Sequence, residues 1–293
     1  MFVSKAAVVG AGTMGGEIAQ TIAAAGFRVV VKDVEQGFVD QGLEKAREVT
    51  RGQLRGLVEK GRLSEEEAES RADETVGLIE GTTEYEGLGD VDFVVEAVPE
   101  RIDLKRLVFA ELDEVTPGHA VLASNTSSLS IAEMGRATSR PDKVVGFHYF
   151  FPASVMRLIE VIEGEGTTSE ETMDAAANFA QAIRKQPIRC GEAPGFVVNR
   201  VLIAAISEVW RVQDAHDIDP KEIDKVISES GAAPMGPFFL SDLLGLDTVL
   251  HVAEHLSESD GGERFFVSPK MKELVASGHL GQKTGRGFYD HPG

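Results

Sequence analysis

A chain of 293 residues that is 42% hydrophobic can bury a sizeable core and is long enough for about two domains. Its 48 acidic against 29 basic residues leave a net charge of −19 with no Lys/Arg cluster, which argues against nucleic acid as a partner, because duplex binding needs clustered cations to displace counterions. The single cysteine, Cys190, excludes an internal disulfide and an all-cysteine metal site. The apolar run AAVVGAG near the N-terminus is too short to span a membrane and lacks the order of a signal peptide, so no membrane association and a cytoplasmic location are expected.

KAAVVG reads as a strand, Thr13 to about Ala25 as a helix, and RVVVKD as a second strand. Between the first strand and the helix stand Gly10, Gly12 and Gly15 in G-x-G-x-x-G spacing. In that context the first glycine permits a tight turn, the second lets the backbone approach a pyrophosphate, and the third lets the helix pack on the strand. The helix N-terminus then offers free N–H groups to the phosphates. Asp33 ends the second strand, where a carboxylate accepts from the adenosine ribose hydroxyls and repels a 2′-phosphate, so the spacing points to NAD as cofactor.

Residues 37–75 are dense in Glu, Arg and Lys with leucines at helical spacing, and predict a projecting helical hairpin broken at KGRLSEEE, with Ser64 as N-cap. VDFVVEAVP, HAVLASN and KVVGFHYF extend the sheet, with a helical pattern from about Arg101 to Val115 after the first of them. In GFHYFFPASVMRLIEVIEG, residues 146–164, two apolar runs flank Pro152, Ala153 and Ser154 and read as a β-hairpin. Centred on Ser154, it sets His148 opposite Glu160, close enough for the carboxylate to fix one imidazole tautomer and stabilise the imidazolium. After QPIRCGEAPGF the strand signal stops, and the rest reads as helices punctuated by AAPMGP, LLGLDT and KTGRGF. The expected fold is α/β, with a Rossmann-type dinucleotide-binding domain over 1–188 followed by an all-α domain over 189–293. The apolar run FVVNRVLIAAISEVW in that second part suggests completion by a second copy, hence a homodimer. The seven histidines give no third ligand to the His251/His255 pair, so no metal is expected.

GAGTMGGEIA, EAVPE, SNTSSL, GFHYFFP, VMRLIEVI, PGFVVNR, PMGPF and KTGRGFY follow one another as in L-3-hydroxyacyl-CoA dehydrogenases, and the resemblance covers essentially the whole chain. It implies NAD-dependent interconversion of 3-hydroxyacyl-CoA and 3-ketoacyl-CoA, with short-chain substrates such as 3-hydroxybutyryl-CoA and a helical dimerisation domain. The resemblance assigns His148 as the base, Glu160 as its carboxylate partner, and Ser127 and Asn199 as donors to the substrate oxygen. Glu100, Lys105 and Asn125 fall at the nicotinamide end of the cofactor, and Thr13 and Met14 in its glycine turn. Gln53 and Lys60 fall on the side that meets coenzyme A. The family usually reads H-F-F-N-P where this chain has His148, Tyr149, Phe150, Phe151 and Pro152, so Phe151 replaces an asparagine at the acyl pocket. A dehydrogenase of a free hydroxy acid, gulonate 3-dehydrogenase-like, and a non-catalytic NAD-binding protein are the competing readings.

Overall fold

A computed structural model describes residues 2–259 and 264–291. One sheet runs in the order β3-β2-β1-β4-β5-β6-β7-β8. Its strands are β1 (Lys5–Val9), β2 (Arg28–Lys32), β3 (Ile79–Thr82), β4 (Phe93–Glu96), β5 (Val121–Ser124), β6 (Val144–Tyr149), β7 (Leu158–Glu163) and β8 (Gln186–Gly191). Every neighbouring pair is parallel except β6 with β7. β4 and β5 are wholly buried and β1 nearly so, and accordingly they read as continuous apolar runs rather than alternating ones.

Helices α1 (Thr13–Ala24) and α6 (Glu170–Ala182) pack on the sheet through Ile18, Ile22, Met173 and Phe179. Phe93 lies 4.5 Å from Phe179 and 5.2 Å from Phe147, centroid to centroid. The predicted hairpin is present as α2 (Gln36–Glu59) and α3 (Glu65–Val76). Val39, Gly42, Ala46 and Thr50 form the buried stripe of α2, and beyond Thr50 no residue of that helix is buried. Ser64 caps α3: its hydroxyl accepts from Glu67 N at 3.2 Å, and Glu67 Oε2 accepts from Ser64 N at 2.8 Å. β3 was not apparent from the sequence, because IEGT is a four-residue edge strand, partly exposed throughout, with no apolar alternation.

Compact units comprise residues 1–192 and 193–293. A boundary at residue 189 falls inside β8, because QPIRCG pairs with β7 along its whole length, from Leu158↔Gln186 to Glu163↔Gly191. The second unit contains α7 (Val198–His216), α8 (Pro220–Glu229), α9 (Pro237–Leu244), α10 (Leu246–Ser259) and α11 (Pro269–Ala276) around Trp210, Phe238, Leu256, Phe265 and Met271. Two buried carboxylates staple it. Asp224 accepts from Phe238 N, Phe239 N and Tyr289 Oη at 3.1, 2.7 and 2.8 Å. Asp242 accepts from Phe288 N and Tyr289 N, both at 2.9 Å, and lies 2.8 Å from His291 Nε2. A Cβ on Gly287 would come within 2.2 Å of Asp242 Oδ1, so the glycine of GRGFY makes room for the second staple. Among the described residues no helix is long and apolar enough to cross a membrane.

Tyr149 is buried in the sheet core and, among the described residues, its hydroxyl has no hydrogen-bond partner; burial pushes its pKa up. An unsatisfied buried polar group costs about 1–3 kcal/mol. Tyr149→Phe is therefore expected to raise unfolding stability by about 1 kcal/mol in urea titration; an equal loss would mean that the hydroxyl is satisfied.

Candidate active site

The antiparallel pairing of β6 with β7 runs Phe147↔Val161, His148↔Glu160, Tyr149↔Ile159. It points both central side chains to one face, and His148 Nδ1 lies 2.8 Å from Glu160 Oε2. Glu160 is wholly buried and the His148 side chain 8% exposed. A carboxylate can only accept, so Nδ1 carries the shared hydrogen, which makes Nε2 the ring atom that exchanges a proton. The Phe150 ring lies 4.6 Å from the imidazole.

The loop joining the two strands is pinned from several sides. Ser154 N and Oγ each donate to Glu17 Oε2 of α1 at 3.1 Å. Lys185 Nζ donates to the carbonyls of Ala153 and Met156 at 2.6 and 2.7 Å. Gln53 Nε2 donates to Ser154 O at 3.2 Å, and Gln53 Oε1 accepts from Gln20 Nε2 at 3.2 Å. The Gln53 amide, assigned to coenzyme A by resemblance, thus also ties α2 to this loop.

Next along the sheet, polar groups gather where β4 and β5 end. Glu96, fully buried, accepts from Val98 N, Lys105 Nζ and Ser124 Oγ at 2.7, 2.7 and 2.6 Å. Lys105, in α4 (Ile102–Val115), is 1% exposed and also reaches Val98 O at 3.2 Å and Glu100 Oε2 at 3.3 Å. Its ammonium is therefore engaged internally and organises the loop around it. Glu100 Oε1 accepts from Thr126 Oγ1 at 2.5 Å, from Ser127 N at 2.9 Å, and from the hydroxyls of Ser127 and Ser128 at 3.4 Å. Burial raises the Glu100 pKa, but the Lys105 charge and the donors from Thr126, Ser127 and Lys105 outweigh it and leave the pKa lowered. Asn125 bridges the strand ends: its N–H donates to Glu96 O at 2.8 Å and its Oδ1 accepts from Tyr149 N at 2.9 Å.

The glycine turn fits a dinucleotide. Gly10 has φ +103°, and a Cβ there would meet the Ala97 backbone at 2.6 Å. A Cβ on Gly15 would come within 1.7 Å of Gly10 O, so only glycine lets α1 pack so close. At Gly12 a Cβ would meet nothing within 4 Å, leaving an open approach for phosphate. Gly12 also gives α1 no side-chain cap, so its first N–H groups remain available to an anion, with Thr13 exposed at the first position and Met14 packed toward the core. Asp33 Oδ2 accepts from Ala11 N at 2.7 Å and Oδ1 from Val34 N at 2.7 Å, which fixes the carboxylate beside the turn.

Residues 5–193 match the model of the 3-hydroxyacyl-CoA dehydrogenase NAD-binding domain, and residues 195–291 that of the 3-hydroxyacyl-CoA dehydrogenase C-terminal domain. The chain belongs to the 3-hydroxyacyl-CoA dehydrogenase family. It is 39% identical over 287 residues to a 3-hydroxybutyryl-CoA dehydrogenase of Clostridioides difficile, covering 98% of this chain and 99% of that protein. It is 35% identical to the mitochondrial hydroxyacyl-coenzyme A dehydrogenase of Homo sapiens, covering 99% and 92%. The crystal structure of an (S)-3-hydroxybutyryl-CoA dehydrogenase from Ralstonia eutropha superposes with TM-score 0.90 at 36% identity, covering all of both chains. The chain is accordingly an NAD-dependent 3-hydroxyacyl-CoA dehydrogenase, and the free-hydroxy-acid and non-catalytic readings give way.

Lys60 is exposed at the C-terminal end of α2, Phe151 is exposed after β6, and Asn199 is half-buried in the first turn of α7 in the second unit. Glu17, Glu96, Thr126 and Lys185 were not apparent from the sequence; the available signal was a charged or hydroxyl residue inside an apolar pattern, as at Glu17 of α1 and Glu96 of β4.

The lowered Glu100 pKa sets a sign for pH dependence. Its contribution to stability is fully present above the unfolded value of about 4.5 and is lost as pH falls through the lower folded value. Urea midpoints of the native chain and Glu100→Gln are therefore expected to differ by a constant amount from pH 7 down to about 4.5 and to converge below it. A gap that persists at the acid end would sink this account.

Proposed function

We propose that the enzyme interconverts short-chain L-3-hydroxyacyl-CoA, 3-hydroxybutyryl-CoA in the first place, and the corresponding 3-ketoacyl-CoA, with His148 and Glu160 as its acid–base pair. The observation that carries this reading is the 2.8 Å contact between His148 Nδ1 and the wholly buried Glu160 carboxylate. NAD, when bound, supplies the acceptor for the hydride leaving C3. His148 Nε2 takes the 3-hydroxyl proton in the oxidative direction and returns it in reduction, while Glu160 stabilises the imidazolium and holds the ring. Ser127, clamped by Glu100, and Asn199, by family likeness, donate to the developing alkoxide. Chain length rests on the relatives called 3-hydroxybutyryl-CoA dehydrogenases.

General-base help is typically worth about 10² to 10⁴ in rate. With acetoacetyl-CoA and NADH, His148→Gln is expected to lower kcat by about that factor while NADH binding, followed by fluorescence, persists. Turnover within a few-fold of native would remove His148 from the chemistry.

The dimer belongs to the same proposal. The second unit exposes Val201 and Val226, at 64% and 66%, together with Val212, Leu243 and Leu244. Apolar exposure of this kind calls for a covering surface, and a second copy is the natural one. Light scattering at micromolar concentration is expected to return about twice the 31.5 kDa chain mass; a monomer would overturn the assignment.

A further inference from the structure

Between β6 and β7 the chain runs through residues 150–157, and the polar groups of this loop are divided between two buried charges of opposite sign. Glu17, 3% exposed, takes donors: Ser154 N and Oγ both donate to its Oε2 at 3.1 Å. Lys185, 8% exposed, takes carbonyls, donating to Ala153 O and Met156 O at 2.6 and 2.7 Å. Burial lowers the Lys185 pKa, the Glu17 charge opposes that and Arg157 adds to it, so carboxylate and ammonium sense each other across the loop. The other oxygen of Glu17, Oε1, lies 3.7 Å from Lys45 Nζ of α2. A carboxylate is costly to bury, and α1 packs through Ile18, Ala19 and Ile22 around this position, where an apolar side chain would serve the helix at least as well. The glutamate is explained by what it holds.

α1 is also the helix whose first N–H groups are open to an anion, and Glu17 stands one turn beyond Thr13, about 6 Å along the axis. Thr21, one turn farther, brings its Oγ1 to 3.5 Å from Ala153 O. One rigid element thus carries the dinucleotide turn at its end and the grip on the hairpin loop along its length. We propose that Glu17 is a positioning residue of the reaction: from the helix that receives the cofactor it fixes the loop between β6 and β7, and so sets where His148 stands relative to the nicotinamide. This rests on the reading of His148 as the acid–base group. Hydride transfer at C3 and proton transfer at the 3-hydroxyl require cofactor and imidazole in one fixed relation, and a misplacement of about 1 Å costs up to about 10² in rate. Referring both groups to α1 fixes that relation. In this role Glu17 acts through the loop and exchanges no proton, so it governs the rate of the chemical step and leaves cofactor affinity alone.

The test measures the single-turnover rate of NADH oxidation by acetoacetyl-CoA, and the NADH Kd by fluorescence, in the native chain, Glu17→Met and Glu17→Gln. Methionine fills the space without an acceptor, whereas the glutamine amide oxygen still accepts from Ser154. Glu17→Met is expected to lower the single-turnover rate about tenfold with the NADH Kd held within about twofold, and Glu17→Gln to recover most of the loss. A Glu17→Met rate within about twofold of native, or an NADH Kd weakened by as much as the rate falls, would overturn the proposal. If Glu17→Met does not fold, Ser154→Ala decides, since it removes the hydroxyl donor and leaves Glu17 its backbone donor: a fall of about threefold in rate supports the proposal and a native rate refutes it. If the native chain is silent with acetoacetyl-CoA, the acid–base reading fails, and the placement is read from the His148 ring ¹⁵N–¹H resonance in histidine-labelled protein. A shifted or broadened resonance in Glu17→Met or Ser154→Ala then supports the placement, and an unchanged one refutes it.

Discussion

The site depends on one register. β6 and β7 form the antiparallel pair in an otherwise parallel sheet, and their pairing sets His148 directly opposite Glu160. A slip of one residue would turn every side chain of one strand to the other face, removing Glu160 from the imidazole and placing Ile159 or Val161 there. The loop pins hold the register. Glu17 grips Ser154 from α1, Lys185 grips the Ala153 and Met156 carbonyls from the turn before β8, and Gln53 reaches Ser154 from α2. Burial of Glu160 strengthens the constraint, because an isolated carboxylate in a wholly buried position is costly and the imidazole N–H donates to this one.

The neighbouring strand ends show the same logic with different groups. Strand order reverses direction between β1 and β4, and in open α/β sheets the crevice at that reversal is where dinucleotides bind. Two carboxylates, Glu96 and Glu100, share one ammonium there, Lys105, and their remaining acceptor capacity is taken up by Ser124, Thr126 and backbone N–H groups. Breaking a buried pair by removing one partner typically costs about 3–5 kcal/mol, since the other charge is left stranded. The network therefore holds the SNTSS segment in one conformation, and Ser127 arrives at its position already ordered.

What the sequence disclosed follows from how local each signal was. The glycine turn, Asp33 and the His148–Glu160 pair are each specified within one or two adjacent elements, so spacing alone places them. β3 is a sheet-edge strand whose pairing comes from a distant segment, and its sequence IEGT carries no apolar alternation. Glu17 meets a residue 137 positions away, and Lys185 acts on carbonyls 29 and 32 positions away, so nothing near either residue announces its role. PMGPF and GRGFY read as punctuation, while their structural content is the room that Gly236 and Gly287 leave for Asp224 and Asp242.

The acidic surplus opposes two anionic ligands less than its size suggests, because several carboxylates around the site are already engaged. Asp33 accepts from Ala11 and Val34, Glu17 from Ser154, Glu96 and Glu100 from Lys105 and the loop donors, and Glu160 faces His148. Their charges are met within a few ångströms, and the excess that remains acts on a ligand from farther away. At physiological ionic strength a Debye length of about 8 Å screens most of that distant field, and at 1 M salt it shrinks to about 3 Å. Local donors and cations therefore decide affinity, and the net charge governs the rate of encounter and its dependence on salt.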